Sequence, residues 1–221
     1  LEDSPPPAER IEDPGFAAKR GTQRGGTLRF WFRDWKVSGS KVTAHEDRAF
    51  GPILFAMHTL SRKVLKLTAQ LAPVGNAPQD VFLEVRNGAD WRRIGRAAID
   101  PLARTATFRL PNWDDTKDTP YRVLYVMPDS SGRPRDYTYQ GTIRRDPVDK
   151  PEIVVAAFTG NNDLGFPHAD VVRHVSHFKP DVLAFTGDQI YERVGEYGIE
   201  RAPLETAVLD YLRKWYIFGW E

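Results

Sequence analysis

Asp146-Pro-Val-Asp-Lys-Pro-Glu-Ile-Val-Val-Ala-Ala-Phe158 is where the grammar of this chain changes. Upstream of it, apolar residues alternate with polar ones; from Ile153 they run together. Pro147 and Pro151 bound a linker, and the continuous run Ile153 to Phe158 is the pattern of a strand buried on both faces of a parallel sheet. A polar loop follows, Thr159-Gly-Asn-Asn-Asp-Leu-Gly-Phe-Pro167. The segment His168 to Lys179 then places Val171, Val172, Val175 and Phe178 on one helical face. Pro180 stops that helix, and Asp181-Val-Leu-Ala-Phe-Thr186 is a second buried strand. This order predicts a βαβ unit and a parallel sheet. Further on, Pro203 opens a last helix with Leu204, Val208, Tyr211, Leu212 and Trp215 on its apolar side.

Working back from the linker, the chain reads as antiparallel β. In Val64-Leu-Lys-Leu-Thr-Ala-Gln-Leu71, the residues Leu65, Leu67, Ala69 and Leu71 share one face, with Lys66, Thr68 and Gln70 opposite. Val81 to Arg86 and Trp91 to Ile99 flank Asn87-Gly88, a strong hairpin signal. Thr105 to Leu110 alternates, and Tyr121 to Met127 and Tyr137 to Arg144 flank the turn Asp129-Ser-Ser-Gly132. Thr27 to Arg33 is strand-like, whereas Phe50 to Met57 is apolar without a clear period. Residues 1–26, rich in Pro, Gly and charge, read as a flexible leader. The expectation is an N-terminal antiparallel β-sandwich of immunoglobulin-like type over 27–146, followed by the start of an α/β domain over 152–221.

The 221 residues are 41% hydrophobic, enough for one large core or two small ones. The 31 basic and 30 acidic residues nearly cancel, so no broad basic field for nucleic acid is expected. With no cysteine, thiolate metal sites, disulfides and cysteine nucleophiles are excluded. No apolar run has the length of a membrane span, and the N-terminus shows no signal sequence. A start at Leu1 and an aromatic end, Trp215-Tyr-Ile-Phe-Gly-Trp-Glu221, read as a fragment of a longer chain.

Ligands of an open parallel sheet bind beyond the carboxyl ends of its strands. Two loops fall there, Thr159–Pro167 and Gly187-Asp-Gln-Ile-Tyr-Glu192. Gly187 permits a sharp turn that sets the Asp188 carboxylate, a hard oxygen ligand, at the rim. Tyr191 reaches the same point if the loop makes one helical turn; the other reading is that Asp188 caps that turn. His168, at the helix start, either orients a phosphate or only opens the helix. Asp170, His174 and His177 share a helical face, as a metal trio or as a solvated surface. The Arg92, Arg93 and Arg96 cluster, with Arg104 and Arg109 nearby, reads as a wet sheet face rather than a polyanion site.

Lys179-Pro-Asp-Val-Leu-Ala-Phe-Thr-Gly-Asp-Gln-Ile-Tyr-Glu192 resembles the second motif of the calcineurin-like metallophosphoesterases, a hydrophobic strand ending in Gly-Asp. The continuation Gly-Asp-x-Ile-Tyr-Glu is similar to the PhoD-like alkaline phosphatase and phosphodiesterase branch, which also carries a β-sandwich before its catalytic domain. The resemblance implies that Asp188 is the catalytic, metal-bridging carboxylate and that Tyr191 is a second ligand. It implies divalent or trivalent ions (Fe, Ca, Zn or Mn), a phosphate ester substrate, attack by metal-activated hydroxide, and a periplasmic or secreted location. Asn161 and Asp163 stand where the family's first ligands would be, and Asn162 and His168 beside the substrate. The chain departs from the family there, lacking Asp-x-His or Cys, and it has no histidine after His177. The isolated chain is therefore expected to be inactive, with activity belonging to a longer parent. The alternative is a non-catalytic β-sandwich interaction module carrying a degenerate phosphoesterase remnant.

Overall fold

The computed structural model describes residues 36–43, 51–129, 131–160, 168–191 and 203–220. The expected leader, the run Thr27 to Arg33, and the loop residues Asn161, Asn162 and Asp163 lie outside the described residues.

Among the described residues seven strands come first: β1 (Ile53–Ser61), β2 (Val64–Leu71), β3 (Asp80–Asn87), β4 (Asp90–Ala98), β5 (Thr105–Leu110), β6 (Thr119–Pro128) and β7 (Pro134–Ile143). They form two antiparallel sheets, ordered β1-β2-β5 and β4-β3-β6-β7. The sheets share one core, as a β-sandwich does: Leu65, Leu67, Ala69 and Leu71 of β2 meet Val81, Leu83 and Val85 of β3 and their neighbours on β6. Each leucine or valine among them contributes about 1.5–3 kcal/mol by leaving water. The period-2 reading of Val64 to Leu71 is matched at every position but one. The one exception on its polar face is Gln70, which is buried because its amide donates to the carbonyls of Ala103 and Arg104, both at 3.0 Å. At the Asn87-Gly88 hairpin the glycine sits at φ 62°.

Of the aperiodic stretch 50–57, Phe50 lies outside the described residues and Ile53 opens β1, whose irregularity has a cause. β1 shifts register against β2 between Ile53 and Phe55, so consecutive residues Leu54 and Phe55 are both buried. Those two do not join the main core. They form a second cluster with Leu212 and Tyr216 of the last helix, α2 (Leu204–Trp220), while Ala56 and Leu60 pack on the sandwich core. The buried stripe of α2 differs from the expected one. Leu204 and Tyr211 are exposed, and Tyr216, which the sequence reading left out, is buried. Asp210 and Lys214, one turn apart, form a buried ion pair at 2.9 Å. No helix among the described residues is long and apolar enough to cross a membrane.

β8 (Val155–Phe158), the helix α1 (Ala169–Phe178) and β9 (Val182–Phe185) make the βαβ unit, with β8 and β9 parallel and Phe158 opposite Phe185. Its strands were expected to be buried on both faces. They are not: Val155, Val182, Leu183 and Phe185 are all exposed, and α1 has no buried residue despite its apolar stripe. The physical reason is a sheet of two strands, which among the described residues has no further strand beside it, and a helix α1 that buries none of its residues. A continuous apolar run reports what a strand is built to bury, not what covers it.

Candidate metal centre at the carboxyl end of the parallel strands

The two parallel strands are fastened at both ends. At the start, the Asp181 carboxylate accepts from the Lys150 ammonium at 2.5 Å and from the Val154 N–H at 3.1 Å. The Lys150 bond, then the Val154 bond, hold this carboxyl below the usual range. At the far end, Thr186 donates both its N–H (2.9 Å) and its hydroxyl (3.2 Å) to the Phe158 carbonyl. The last residues of each strand therefore leave the sheet from a fixed pair of positions.

From there β9 turns sharply. Gly187 takes φ 139°, a region L side chains avoid, and Asp188 follows at φ 54°. Left-handed backbone is uncommon outside glycine, with aspartate among the residues that tolerate it. The turn delivers the exposed Asp188 carboxylate to the rim, where the Tyr191 hydroxyl donates to its Oδ2 at 3.0 Å. That bond, followed by desolvation and the carboxylate's charge, raises the phenol above its ordinary range. From the other strand, Gly160 at φ 69° brings its backbone alongside: a Cβ there would stand 3.6 Å from the Tyr191 hydroxyl. Asp188, Tyr191 and Gly160 thus converge at the carboxyl end of the pair.

Of the sequence-derived site residues, the structure brings together Asp188 and Tyr191. His168 precedes α1; its carbonyl accepts the Val172 N–H, and its ring does not cap the helix. Asn161, Asn162 and Asp163 fall outside the described residues. The trio on α1 does not assemble: Asp170 pairs with Arg173, the His177 ring meets Phe178 edge-on at 5.7 Å, and the described residues hold no cluster of three His, Asp or Glu suited to a cation. In the arginine cluster, Arg93 pairs with Glu84 and Arg96 with Asp80. Gly160 and Thr186 were missed by sequence reasoning. The signal available was the Thr-Gly pair that follows each strand, Thr159-Gly160 and Thr186-Gly187.

Tyr191 Oη and Asp188 Oδ2 are both oxygen atoms, and their 3.0 Å separation is that of a hydrogen bond. A carboxylate oxygen is the kind of ligand that hard cations select. No family model matches this sequence, and no curated protein matches it.

Proposed function

We propose that the β8–α1–β9 unit opens the catalytic domain of a metal-dependent phosphoric ester hydrolase of the PhoD-like type, with Asp188 and Tyr191 as metal donors. The observation that carries this reading is the 3.0 Å approach of Tyr191 Oη to Asp188 Oδ2 at the carboxyl end of the parallel strands. It is supported by the Gly-Asp-x-x-Tyr spacing that resembles the family motif. An ion bound there would supply a coordinated hydroxide and positive charge against the phosphoryl oxygens. The chain's own part is to aim the donors. Gly187 turns the backbone, Asp188 and Tyr191 face one point, and Gly160 keeps its side of that point free of side chain. Tyr191 donates its hydroxyl proton to Asp188 Oδ2, so the two oxygens that would hold a cation already face one another. Asn161 and Asp163 are proposed as further oxygen donors, and His168 and Asn162 as contacts to the ester's phosphate.

We also read the sandwich as immunoglobulin-like. In support, seven strands divide into sheets of three and four, with β3 and β6 central and β4 on the larger sheet's edge.

The test has two parts. Mn2+ binding to this chain is measured by electron paramagnetic resonance of the free ion, for wild type, Asp188→Ala and Tyr191→Phe. Hydrolysis of 4-nitrophenyl phosphate and of its bis-ester is assayed on the full-length gene product. Asp188→Ala is expected to abolish both. Undiminished binding and turnover in that variant would refute the assignment. A wild type that neither binds nor hydrolyses leaves the unit as a remnant attached to an interaction sandwich.

A further inference from the structure

The rim is connected to the sandwich by a chain of aromatic rings. Phe158 and Phe185 are the last residues of β8 and β9, paired in register, and their rings stack at 5.1 Å and 21°. Phe185 stands directly before Thr186-Gly187-Asp188, so its position sets where that turn begins. Its other ring contact comes from α2: Phe218 meets it edge-on at 5.3 Å and 76°. Phe218 stacks on Trp215 at 5.1 Å, and Trp215 meets Phe55 of β1 at 6.2 Å. With 39% of Phe185 still exposed, Phe158 and Phe218 are the rings that steady it among the described residues.

Beside its stacking on Trp215, Phe218 is held by its neighbour in the helix. A Cβ at Gly219 would fall 2.1 Å from two atoms of the Phe55 ring, so α2 rests its bare backbone on that ring. Phe55 itself is fixed, at 6% exposure within the cluster it forms with Leu54, Leu212 and Tyr216. We propose that Phe218 is a positioning residue for the Asp188–Tyr191 loop, held in register by the Gly219–Phe55 contact with the sandwich. The β-sandwich then acts on the site through α2, as a support that sets where its donors stand. Offset and edge-on aromatic pairs have preferred geometries, so a shifted Phe218 re-aims Phe185 and with it the turn. This inference rests on the reading of Asp188 and Tyr191 as metal donors.

Two readouts test it on the whole chain: the amide resonances of Gly160, Gly187 and Asp188 in 15N-labelled protein, and Mn2+ affinity. Phe218→Ala is expected to move those three resonances and to weaken Mn2+ binding about tenfold, the usual scale for losing a supporting contact. Phe218→Leu, which keeps bulk, should do less. Gly219→Ala should reproduce the Phe218→Ala pattern, and adding Phe55→Leu to it should bring the resonances back. Rim resonances unmoved in both Phe218→Ala and Gly219→Ala would overturn the proposal. If Phe218→Ala also loses the sandwich resonances, the Phe218→Leu and Gly219→Ala/Phe55→Leu comparison decides in the same terms. A wild type that binds no Mn2+ while the rim resonances still follow Phe218 would sink the metal reading and leave the positioning role standing.

Discussion

Glu84 offers the sharpest quantitative test of how the sandwich is held. It lies on β3 at 5% exposure, and two guanidinium groups from flanking strands converge on it. Arg122 of β6 places Nε and Nη2 each at 2.7 Å from Oε2. Arg93 of β4 places Nε at 3.3 Å and Nη2 at 3.2 Å from Oε1. The same cations lie over aromatic rings, Arg93 at 3.7 Å from Phe82 and Arg122 at 4.8 Å from Trp91. Glu84→Gln preserves volume but removes the charge, and one amide edge must then face a guanidinium. Removing one partner of a fully buried pair costs about 3–5 kcal/mol. Here the arginine side chains are 50% and 24% exposed, so Arg93 recovers water readily and Arg122 carries most of the loss. A cost of roughly 2–3 kcal/mol follows. For a chain of this size that is a fall of about 5–10 °C in thermal midpoint. Differential scanning calorimetry and urea titration measure it, with Asp80→Asn as the control. The Asp80–Arg96 pair, at 2.6 Å, is far more exposed and screened by solvent, so its loss should move the midpoint much less. A Glu84→Gln midpoint within about 1 °C of wild type would refute the reasoning.

Gly187→Ala forces a side chain onto φ 139° and should cost about 1–3 kcal/mol of local strain, measured by urea titration, together with a loss of Mn2+ affinity. An acid limb should belong to Asp114. The Thr116 hydroxyl first, and then the Lys117 ammonium, hold its carboxyl down to about 2. A depressed carboxylate adds stability above its unfolded value near 4 that is lost as the pH falls through about 2, so Asp114→Ala should flatten stability across that window. Unfolding followed by tryptophan fluorescence from pH 5 to 2 checks the slope; parallel curves would count against it.

Most of the sandwich was legible because its strands keep one face for one core. Val64 to Leu71 and Thr105 to Leu110 are strands over the residues the alternation marks. β1 was illegible for the same reason turned around. Its bulge splits it between two cores, and a strand that serves both shows no single period. The βαβ order was readable, whereas the burial of its strands was not, because burial belongs to neighbours rather than to the run itself. At the rim, the three-residue spacing is the one across which the Tyr191 hydroxyl donates to Asp188. Gly160 came into view only with the backbone, since nothing in Thr159-Gly160-Asn161 names the tyrosine it approaches. The ring chain through Phe218 was likewise out of reach, being a contact between distant segments.

The packing of α2 against β1 has a consequence for synthesis. Phe55 and Leu212 share one cluster although about 150 residues separate them. At translation speeds of about 5–20 residues per second, some 10–30 s pass between the appearance of the two. During that interval the sandwich can close its own core while Leu54 and Phe55 wait on its flank. The nascent chain therefore carries an adhesive spot whose lifetime is set by the ribosome, and α2 is the helix that seals it.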